Sequence, residues 1–397
     1  MRIGMVLDRP FPPDDRVEKE ARSLIKAGFE VHLLCFRFGN EPEHEAYKGI
    51  KVQRVFMPQW LFKKLSALIL LLPFYNGFWR KRIIKFINWQ KIDALHIHDL
   101  PLVGVALKIK EKFGIPLIAD MHENYPLFIS EIKFANTFLG KLFINKKKWF
   151  QKEITWLNRV DWILVVAGGM KKRLEKILEN HRKFVVVPNL PRVREILNNQ
   201  KALPDVEQKF KDKFVLFYFG GFDSRRGLDT LLEAAERVRD DIHHLQIVLV
   251  GRGSFQAELE QMALKHQMQN ILSFEGWQPP EHLQSYLKTA NIGVIPHLKS
   301  QQTDNSSPNK LFLYMLFSKA VITSNCNSIR EIVEENSCGL IYESGNSRQL
   351  AERILYLYKN PGEALKMGER GARAVRGKYD WEIGVKGLIQ MYKEIEA

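Results

Sequence analysis

A glycine pair followed by two arginines stands at the end of a strand-like apolar run in the second half of the chain. The run is Phe214–Phe219, and Gly220, Gly221, Arg225 and Arg226 come after it. Glycines let a ligand approach the backbone, and arginine can hold two phosphate oxygens at once. A helix that begins just beyond them adds partial positive charge. These residues fit the diphosphate of a sugar nucleotide, although an ordinary strand-to-helix turn with solvated arginines has the same composition.

A second helix start in the same half also suits an anion. Ser306 or Ser307 can cap it, and Pro308 suits its first helical position. Lys310 follows within the first turn, where backbone N–H groups have no partner inside the helix. Alone, this pattern is typical of a capped helix start. Two such starts in one half favour a common anionic ligand.

Histidines and carboxylates end two strand-like runs in the first half. His96, His98 and Asp99 end one run, and His122 and Glu123 end the next. Because side chains alternate along a strand, His96 and His98 share a face, which could suit a metal. No third His or Cys stands at a convincing spacing, so no metal is expected. His122 is the better candidate for acid–base or polar contact work, or else it is a hydrogen-bonded structural histidine.

Strand-like runs alternate with helical patterns from end to end, which predicts parallel sheets covered by helices. The runs are Arg2–Leu7, Glu30–Phe36, Lys51–Phe56, Ala94–His98, Pro116–Met121, Trp162–Ala167, Phe184–Pro188, Phe214–Phe219, Gln246–Val250, Ile271–Phe274, Ile292–Ile295, Ala320–Thr323 and Gly339–Tyr342. The economical architecture is α/β, with two Rossmann-like, doubly wound domains. We place the first at 1–190, a hinge linker at 191–213, the second at 214–380 and a terminal helix that crosses back at 381–397.

The composition excludes disordered, fibrous and disulfide-stapled proteins. Of the 397 residues, 45% are hydrophobic and 26% are charged, which suits two apolar cores. Cys35, Cys326 and Cys338 are too few for a disulfide framework and too scattered for a thiolate zinc site, so a cytosolic location is expected. The opening residues show no signal-peptide pattern.

The formal net charge of +15 comes from the first half. Residues 1–200 have 35 Lys and Arg against 20 Asp and Glu, whereas residues 201–397 have 25 of each. Residues 51–91 have nine basic side chains, no acidic one and many aromatic ones, and the uncharged run Leu65–Phe74 is shorter than the roughly 20 residues that span a bilayer. We expect residues 58–91 to face an anionic membrane surface. Nucleic acid is disfavoured because no binding motif appears, and a covered helical hairpin with solvated lysines is the plain alternative.

Short motifs in a fixed order make the chain resemble the retaining glycosyltransferases of family 4. They are PPDDRV at 12–17, AGFEV at 27–31, HDLP at 98–101, HE at 122–123, VPN at 187–189, RGLD at 226–229, LVGRG at 249–253, FEG at 274–276 and PNK at 308–310. Each motif is weak alone, but their order and spacing cover nearly the whole chain. The resemblance implies the GT-B architecture, in which two Rossmann-like domains face each other across a cleft. It also implies a nucleotide-diphosphate sugar as donor substrate, without a cofactor or a metal.

The resemblance assigns residues to three groups. The donor diphosphate would face Gly220, Gly221, Arg225, Arg226, Ser307, Asn309 and Lys310, with Arg226 where many relatives have lysine. The nucleotide base would be bordered by Arg252, Gly253, Gly276 and Trp277. The transferred sugar would lie near His122, with Asp15, Arg16, His98, Asp99 and Glu123 on the acceptor side. His122, Arg226 and Lys310 are the expected catalytic residues.

Two positions depart from the family pattern. Relatives usually place a glutamate in the helix after the PNK-type motif, and often another eight positions earlier, where it accepts hydrogen bonds from the donor ribose. Here those positions read Leu313 and Asn305. Leucine accepts no hydrogen bond, and each polar group left unpaired costs about 1 to 3 kcal/mol. The change permits weaker donor binding, a different donor or loss of activity.

The leading hypothesis is a cytoplasmic, membrane-peripheral enzyme that transfers a sugar to a lipid-linked or polysaccharide acceptor with retention of configuration. By the resemblance, the leaving diphosphate takes the acceptor proton, so the protein mainly positions reactants and stabilises phosphate charge. One alternative is a sugar-nucleotide epimerase with Asp99 and Glu123 as its carboxylates. Another is a catalytically degenerate subunit that binds a partner. The base, the sugar, the acceptor and the oligomeric state are not encoded in recognisable residues.

Overall fold

The chain folds into two compact units. A computed structural model describes residues 1–65, 73–131, 145–179, 183–300, 303–305 and 309–397. The N-terminal unit joins Met1–Pro188 to Val385–Ala397, and the C-terminal unit is Asn189–Gly384. Each unit has its own sheet, parallel apart from one strand of the N-terminal unit, and its own apolar core. The prediction of an α/β fold with two Rossmann-like, doubly wound domains is therefore confirmed.

The described strands of the N-terminal unit form one sheet. They are β1 Arg2–Pro10, β2 Glu30–Arg37, β3 His44–Tyr47, β4 Ile50–Phe56, β5 Ala94–His98, β6 Leu117–Met121, β7 Trp162–Val165 and β8 Lys183–Val186. Their order is β3-β4-β2-β1-β5-β6-β7-β8, and only β3 is antiparallel to its neighbour. The sequence pattern misses β3 because its residues are exposed or half-buried and bury little apolar surface. The strand order reverses between β1 and β5, where ligands bind in sheets of this kind.

Helices cover this sheet. They are α1 Asp15–Lys26, α2 Gln59–Leu65, α3 Pro73–Gln90, α4 Leu100–Phe113, α5 Tyr125–Glu131, α6 Lys146–Leu157 and α7 Gly168–Glu175. Asp14 caps α1, since its carboxylate accepts a hydrogen bond from the Val17 N–H at 3.1 Å. Among the described residues no helix has the length and apolar content needed to cross a bilayer.

The aromatic residues of the basic segment divide between core and surface. On α3, Tyr75, Trp79 and Phe86 are buried in the apolar core. Trp60 and Trp89 are 63% and 56% exposed. Some aromatic side chains of this segment therefore pack in the core, and others are exposed and can contact a membrane surface. Residues 66–72 of the predicted membrane-facing segment lie outside the described residues.

The C-terminal unit has a second, wholly parallel sheet. Its described strands are β9 Phe214–Phe219, β10 Leu245–Val250, β11 Leu272–Phe274, β12 Ile292–Ile295, β13 Ala320–Ser324 and β14 Gly339–Tyr342, in the order β11-β10-β9-β12-β13-β14. Its helices are α8 Val193–Asn198, α9 Pro204–Lys209, α10 Leu228–Val238, α11 Gln256–Lys265, α12 Leu283–Thr289, α13 Asn309–Leu316, α14 Asn327–Asn336, α15 Ser347–Lys359, α16 Pro361–Gly377 and α17 Trp381–Gly384. The strand order reverses at β9, between β10 and β12.

One stretch differs from the predicted domain plan. Residues 191–213, predicted as a linker, contain α8 and α9, and Val193, Val206 and Phe210 are buried in the core of the C-terminal unit. The prolines suggested a linker, but these apolar side chains dock the stretch. The last helix, α18 Lys386–Glu396, belongs to the N-terminal unit.

Replacing Trp79 by Ala should destabilise the N-terminal unit by about 3 to 5 kcal/mol, because a fully buried indole is removed from a packed core. Trp89→Ala, on the same helix but 56% exposed, is the matched control and should change stability by about 0.5 kcal/mol or less. Urea unfolding followed by circular dichroism measures both. Equal losses would contradict the division of the aromatic residues described above.

Candidate functional site

The carboxyl ends of β9 and β12 bring the sequence-predicted phosphate residues together. These strands are neighbours in the sheet, with Phe217 opposite Gly293. Gly220 follows β9, and His297 follows β12. Sequence reasoning missed His297, although its position just after a strand was a usable signal. This edge of the sheet lies at the strand-order reversal, where a ligand is expected.

Arg226 lies between an acid and a histidine. Its Nε donates to Asp223 Oδ2 at 3.3 Å, and its Nη1 donates to His297 Nε2 at 3.3 Å. The Arg226 side chain is 36% exposed, whereas His297 is 1% exposed. Burial, together with the positive charges of Lys310 and Arg226, holds the pKa of His297 well below its ordinary value. His297 is therefore a neutral hydrogen-bond acceptor for the arginine.

Lys310 is a buried amine without a carboxylate partner among the described residues. It is 7% exposed, and its Nζ lies 3.7 Å from the centre of the Tyr218 ring. Burial and the charge of Arg226 hold the pKa of Lys310 well below its ordinary value. A buried ammonium that lacks an anion is costly unless a ligand supplies one. The cluster of Arg226, His297 and Lys310 thus suits an anion.

Gly227 and Gly220 allow the turn that carries Arg226 to lie against the end of β12, and Lys310 to lie against the end of β9. A Cβ at Gly227, whose φ is +62°, would lie 2.0 Å from the carbonyl oxygen of Pro296, so the turn that carries Arg226 packs directly on the end of β12. A Cβ at Gly220, whose φ is +133°, would lie 2.9 Å from Lys310 Nζ. Only glycine combines these backbone angles with this spacing. The geometry therefore depends on the glycines that the sequence pattern singled out.

The other residues predicted to bind the donor differ in how far their side chains are exposed to solvent. Gly221, Arg225, Arg252, Gly253, Trp277 and Asn309 are exposed, with Trp277 at 59%. Arg225 forms an ion pair with Asp223 at 3.2 Å. Leu313 is half-buried and packs against the apolar core, so its environment suits a leucine. Ser307 lies outside the described residues, and α13 is described from Asn309.

Asp120 is the centre of the candidate site in the N-terminal unit. Its Oδ2 lies 2.7 Å from His122 Nε2 and 3.1 Å from His98 Nδ1, and its Oδ1 accepts from Arg16 Nη2 at 3.2 Å. Asp120 and His98 are fully buried, and only His122 is partly accessible, with 11% of its side chain exposed. His122 is thus the member of this cluster that solvent can reach. Sequence reasoning overlooked Asp120, although its place near the end of β6 next to His122 was a signal.

Burial and neighbouring charges determine the protonation states of His122 and His98 beside Asp120. Burial alone would lower the pKa of His122, but the carboxylates of Asp120 and Asp99 outweigh it and raise the pKa to about 9. Burial lowers the pKa of His98 to about 3. At neutral pH a cationic His122 therefore faces an ionised Asp120. The stability that this pair contributes is fully present below about pH 6.5 and is lost as the pH rises through about 9.

Further buried polar residues lie around Asp120. Arg16 also pairs with Glu20 at 2.9 Å, and His96 Nδ1 lies 2.8 Å from the Tyr392 hydroxyl of α18. The ligand atoms of Glu20, His96, His98 and Asp120 all lie within 4.8 Å of one another, a spacing that could hold a cation. The Arg16 guanidinium already pairs with both carboxylates, so it supplies the positive charge there. Metal independence stays a prediction, which activity in the presence of a chelator would test.

Asp99 is held in a strained backbone conformation. Its φ is +66° and its ψ is 156°, which costs about 1 to 3 kcal/mol for a residue other than glycine. Its carboxylate forms an ion pair with Arg9 at 2.5 Å. Nearby, burial raises the pKa of Asp8 to about 6, and its Oδ2 accepts from the Tyr75 hydroxyl at 3.4 Å. Sequence reasoning missed Asp8 and Arg9, which end β1.

The predicted acceptor-side residues separate into buried and exposed groups. Arg16 and His98 lie inside the unit, so they can act on an acceptor only through their partners. Asp15 and Glu123 are exposed, and Asp15 pairs with Lys19 at 2.6 Å. His122 and Asp99 occupy the carboxyl ends of neighbouring strands. Of the acceptor-side set, the exposed carboxylates are directly accessible.

Replacing Asp120 by Asn should lower the pKa of His122 by about 1 to 3 units, because burial then acts against a weaker opposing charge. A histidine NMR titration, assigned with His122→Gln, measures this shift. Asp15→Asn removes an exposed carboxylate that pairs with Lys19 and should leave the titration of His122 unchanged. A wild-type pKa near 6.5 would contradict the coupling.

Comparison with known proteins identifies both units. Residues 199–374 match the family model of the glycosyl transferases group 1, and residues 16–190 match that of Glycosyltransferase Family 4. An uncharacterized glycosyltransferase of Methanocaldococcus jannaschii is 26% identical over 388 residues, which are 97% of this chain and 96% of that protein. A phosphatidyl-myo-inositol mannosyltransferase of Mycobacterium leprae is 24% identical over 79% of this chain and 76% of its own length.

Solved structures show the same fold. HepE of Anabaena, in complex with UDP-glucose, superposes with a TM-score of 0.70 at 15% identity, covering 99% of this chain and 100% of that one. The fold, the order of the motifs and both family matches agree. The chain belongs to the family 4 glycosyltransferases, which have the GT-B fold.

Proposed function

We propose that this glycosyltransferase moves a hexosyl group from a nucleoside-diphosphate sugar to a lipid-linked or polysaccharide acceptor, with retention of configuration and without a metal. The donor diphosphate binds at the carboxyl ends of β9 and β12. The acceptor lies on the side of His122. The reaction takes place at an anionic membrane surface in the cytoplasm.

One observation carries the donor assignment, namely the excess of positive charge at Arg226 and Lys310. Asp223 is the single carboxylate that pairs with this cluster among the described residues, and Lys310 is buried without one. A diphosphate supplies the missing negative charge, and fixed cations then stabilise charge that develops on the leaving group. HepE, a protein of the same fold, binds UDP-glucose. This likeness supports a uridine sugar as the first donor to test.

His122 is suited to polar contact with the transferred sugar. As a cation held by Asp120, it donates hydrogen bonds and does not act as a base near neutral pH. No protein nucleophile is needed, because the leaving phosphate oxygen takes the acceptor proton. The exposed Glu123 and the ion-paired Asp99 complete the acceptor side. The pairing of Asp99 with Arg9 gives no support to an epimerase that needs free carboxylates.

A basic face on α3 supports the membrane assignment. Arg80, Lys81 and Lys85 are exposed, and Lys85 lies 5.6 Å from the ring of the exposed Trp89. Cations interleaved with tryptophan suit the headgroup region of an anionic bilayer. The phosphatidyl-myo-inositol mannosyltransferase relative has a phospholipid in its name, which supports a lipid-borne acceptor.

The departure at Leu313 favours a second candidate function, a degenerate subunit that binds a partner. A half-buried leucine accepts no hydrogen bond from a donor ribose. A degenerate subunit would bind no sugar nucleotide at all. Calorimetry with UDP, GDP, ADP and dTDP separates the two functions.

A thermal-shift and calorimetry panel of UDP, GDP, ADP and dTDP should identify one tight ligand. At 100 times the dissociation constant it should stabilise the fold by about 2.7 kcal/mol. Arg226→Ala and Lys310→Met should each weaken binding by about 10- to 100-fold, because each removes a charged hydrogen bond worth about 1.5 to 3 kcal/mol.

Arg348→Ala is the control for this panel, because the side chain is 83% exposed on α15 and pairs with Glu352 rather than with the cluster. It should bind the nucleotide like the wild type. If no nucleotide stabilises the protein, or if Arg226→Ala and Lys310→Met bind normally, the donor assignment is wrong.

Substituting Arg80, Lys81 and Lys85 together by Ala should weaken binding to phosphatidylserine vesicles by about 100-fold, since each basic residue near an anionic surface contributes about 1 kcal/mol. Vesicle co-sedimentation measures the binding. A control with Lys359, Arg373 and Arg376 replaced by Ala changes the net charge equally in the C-terminal unit and should bind normally. If both triple variants bound the vesicles equally weakly, the effect would come from net charge, and the assignment of α3 as a membrane-facing helix would be wrong.

A further inference from the structure

His297 is the buried titratable group next to the donor site that no role has yet explained. It follows β12, is 1% exposed and touches Arg226 through Nε2 at 3.3 Å. Its Nδ1 has no hydrogen-bond partner among the described residues. A buried ring nitrogen without a partner is uncommon in folded proteins and calls for an explanation.

The surroundings of His297 are cationic. The charged groups that act on it are Arg226 of the turn after β9 and Lys310 of α13. Asp223 pairs with Arg226, Tyr218 of β9 lies beside Lys310, and Cys326 after β13 lies 3.6 Å from the His297 backbone oxygen. Its backbone oxygen is held by the Ser324 hydroxyl at 2.6 Å, so the residue is fixed at the end of its strand. Two cations and one carboxylate thus lie close to a neutral imidazole.

We propose that His297 is a third binding residue for the donor diphosphate, donating a hydrogen bond to a phosphate oxygen beside Arg226 after taking one proton from solvent. The inference rests on the proposed function, because it concerns the same anion. Without a ligand, the Arg226 N–H donates to the lone pair of His297 Nε2. With a diphosphate, one phosphate oxygen accepts from both groups and replaces that bond.

Electrostatics gives the direction of the proton transfer. Burial, Lys310 and Arg226 disfavour the imidazolium in the free protein, which lowers the pKa of His297. A bound diphosphate offsets the charge of both cations and accepts a hydrogen bond, so the pKa of His297 rises. Binding then takes up a proton, and the affinity increases as the pH falls between the two pKa values.

Calorimetry in buffers of different ionisation enthalpy, phosphate and Tris at pH 7, measures this proton directly. UDP-glucose and GDP-mannose are the probes, because their diphosphate diesters do not titrate near neutral pH. We expect uptake of up to one proton by the wild type, and a dissociation constant that falls from pH 8.5 to pH 6.

His297→Gln tests the residue itself. Glutamine can still accept from Arg226 but cannot become charged, so proton uptake should disappear and binding should weaken by about 10- to 100-fold. His243→Gln, at an exposed position just before β10, is the matched control and should behave like the wild type. Circular dichroism verifies that each variant is folded.

Three results would overturn the inference. Binding without proton uptake in the wild type would remove the role of His297 and leave the proposed donor site standing. Uptake that persists in His297→Gln but is lost in Lys310→Met would assign the proton to the lysine. If none of the four nucleotides of the panel binds, the proposed function itself fails, and the role of His297 fails with it.

Discussion

The burial of charge at the carboxyl ends of two parallel sheets is the constraint on which the rest of the structure depends. In the N-terminal unit each cation has a carboxylate partner, because Arg16 pairs with both Asp120 and Glu20 and His122 pairs with Asp120. In the C-terminal unit the charge is not fully balanced, because Asp223 pairs with Arg226 while Lys310 has no carboxylate partner among the described residues. A balanced cluster keeps its geometry without a ligand, whereas an unbalanced one favours an anionic ligand.

Small residues and strained residues maintain these clusters. Gly227 allows the arginine turn to contact the end of β12 at a distance that no side chain tolerates. Asp99 retains a carboxylate at a backbone angle that glycine would adopt without strain, which indicates that the carboxylate is needed there. Both positions exchange local stability for the placement of charge.

The chain's last helix contributes to its first domain. Tyr392 of α18 lies within hydrogen-bonding distance of His96, and the N-terminal ammonium pairs with Glu396 at 2.8 Å. Residues almost 400 positions apart therefore form an ion pair at the surface, and His96 and Tyr392, 296 positions apart, form a buried contact. A pattern read along the sequence cannot reveal such a contact, because nothing local distinguishes Tyr392 from other core tyrosines.

The sequence by itself determined the α/β class, most strand positions and the glycine–arginine turn, since periodicity and the residue types at strand ends are local properties. The resemblance to the family also implies that Leu313 stands where relatives have a hydrogen-bond acceptor. Only the tertiary structure decided that His98 and Arg16 are buried, that α8 and α9 dock onto the C-terminal core, and that His297 joins Arg226. The reason is physical, because burial and charge balance depend on which strand ends are neighbours. The order of strands in the sheet determines these neighbours, and long-range packing sets that order.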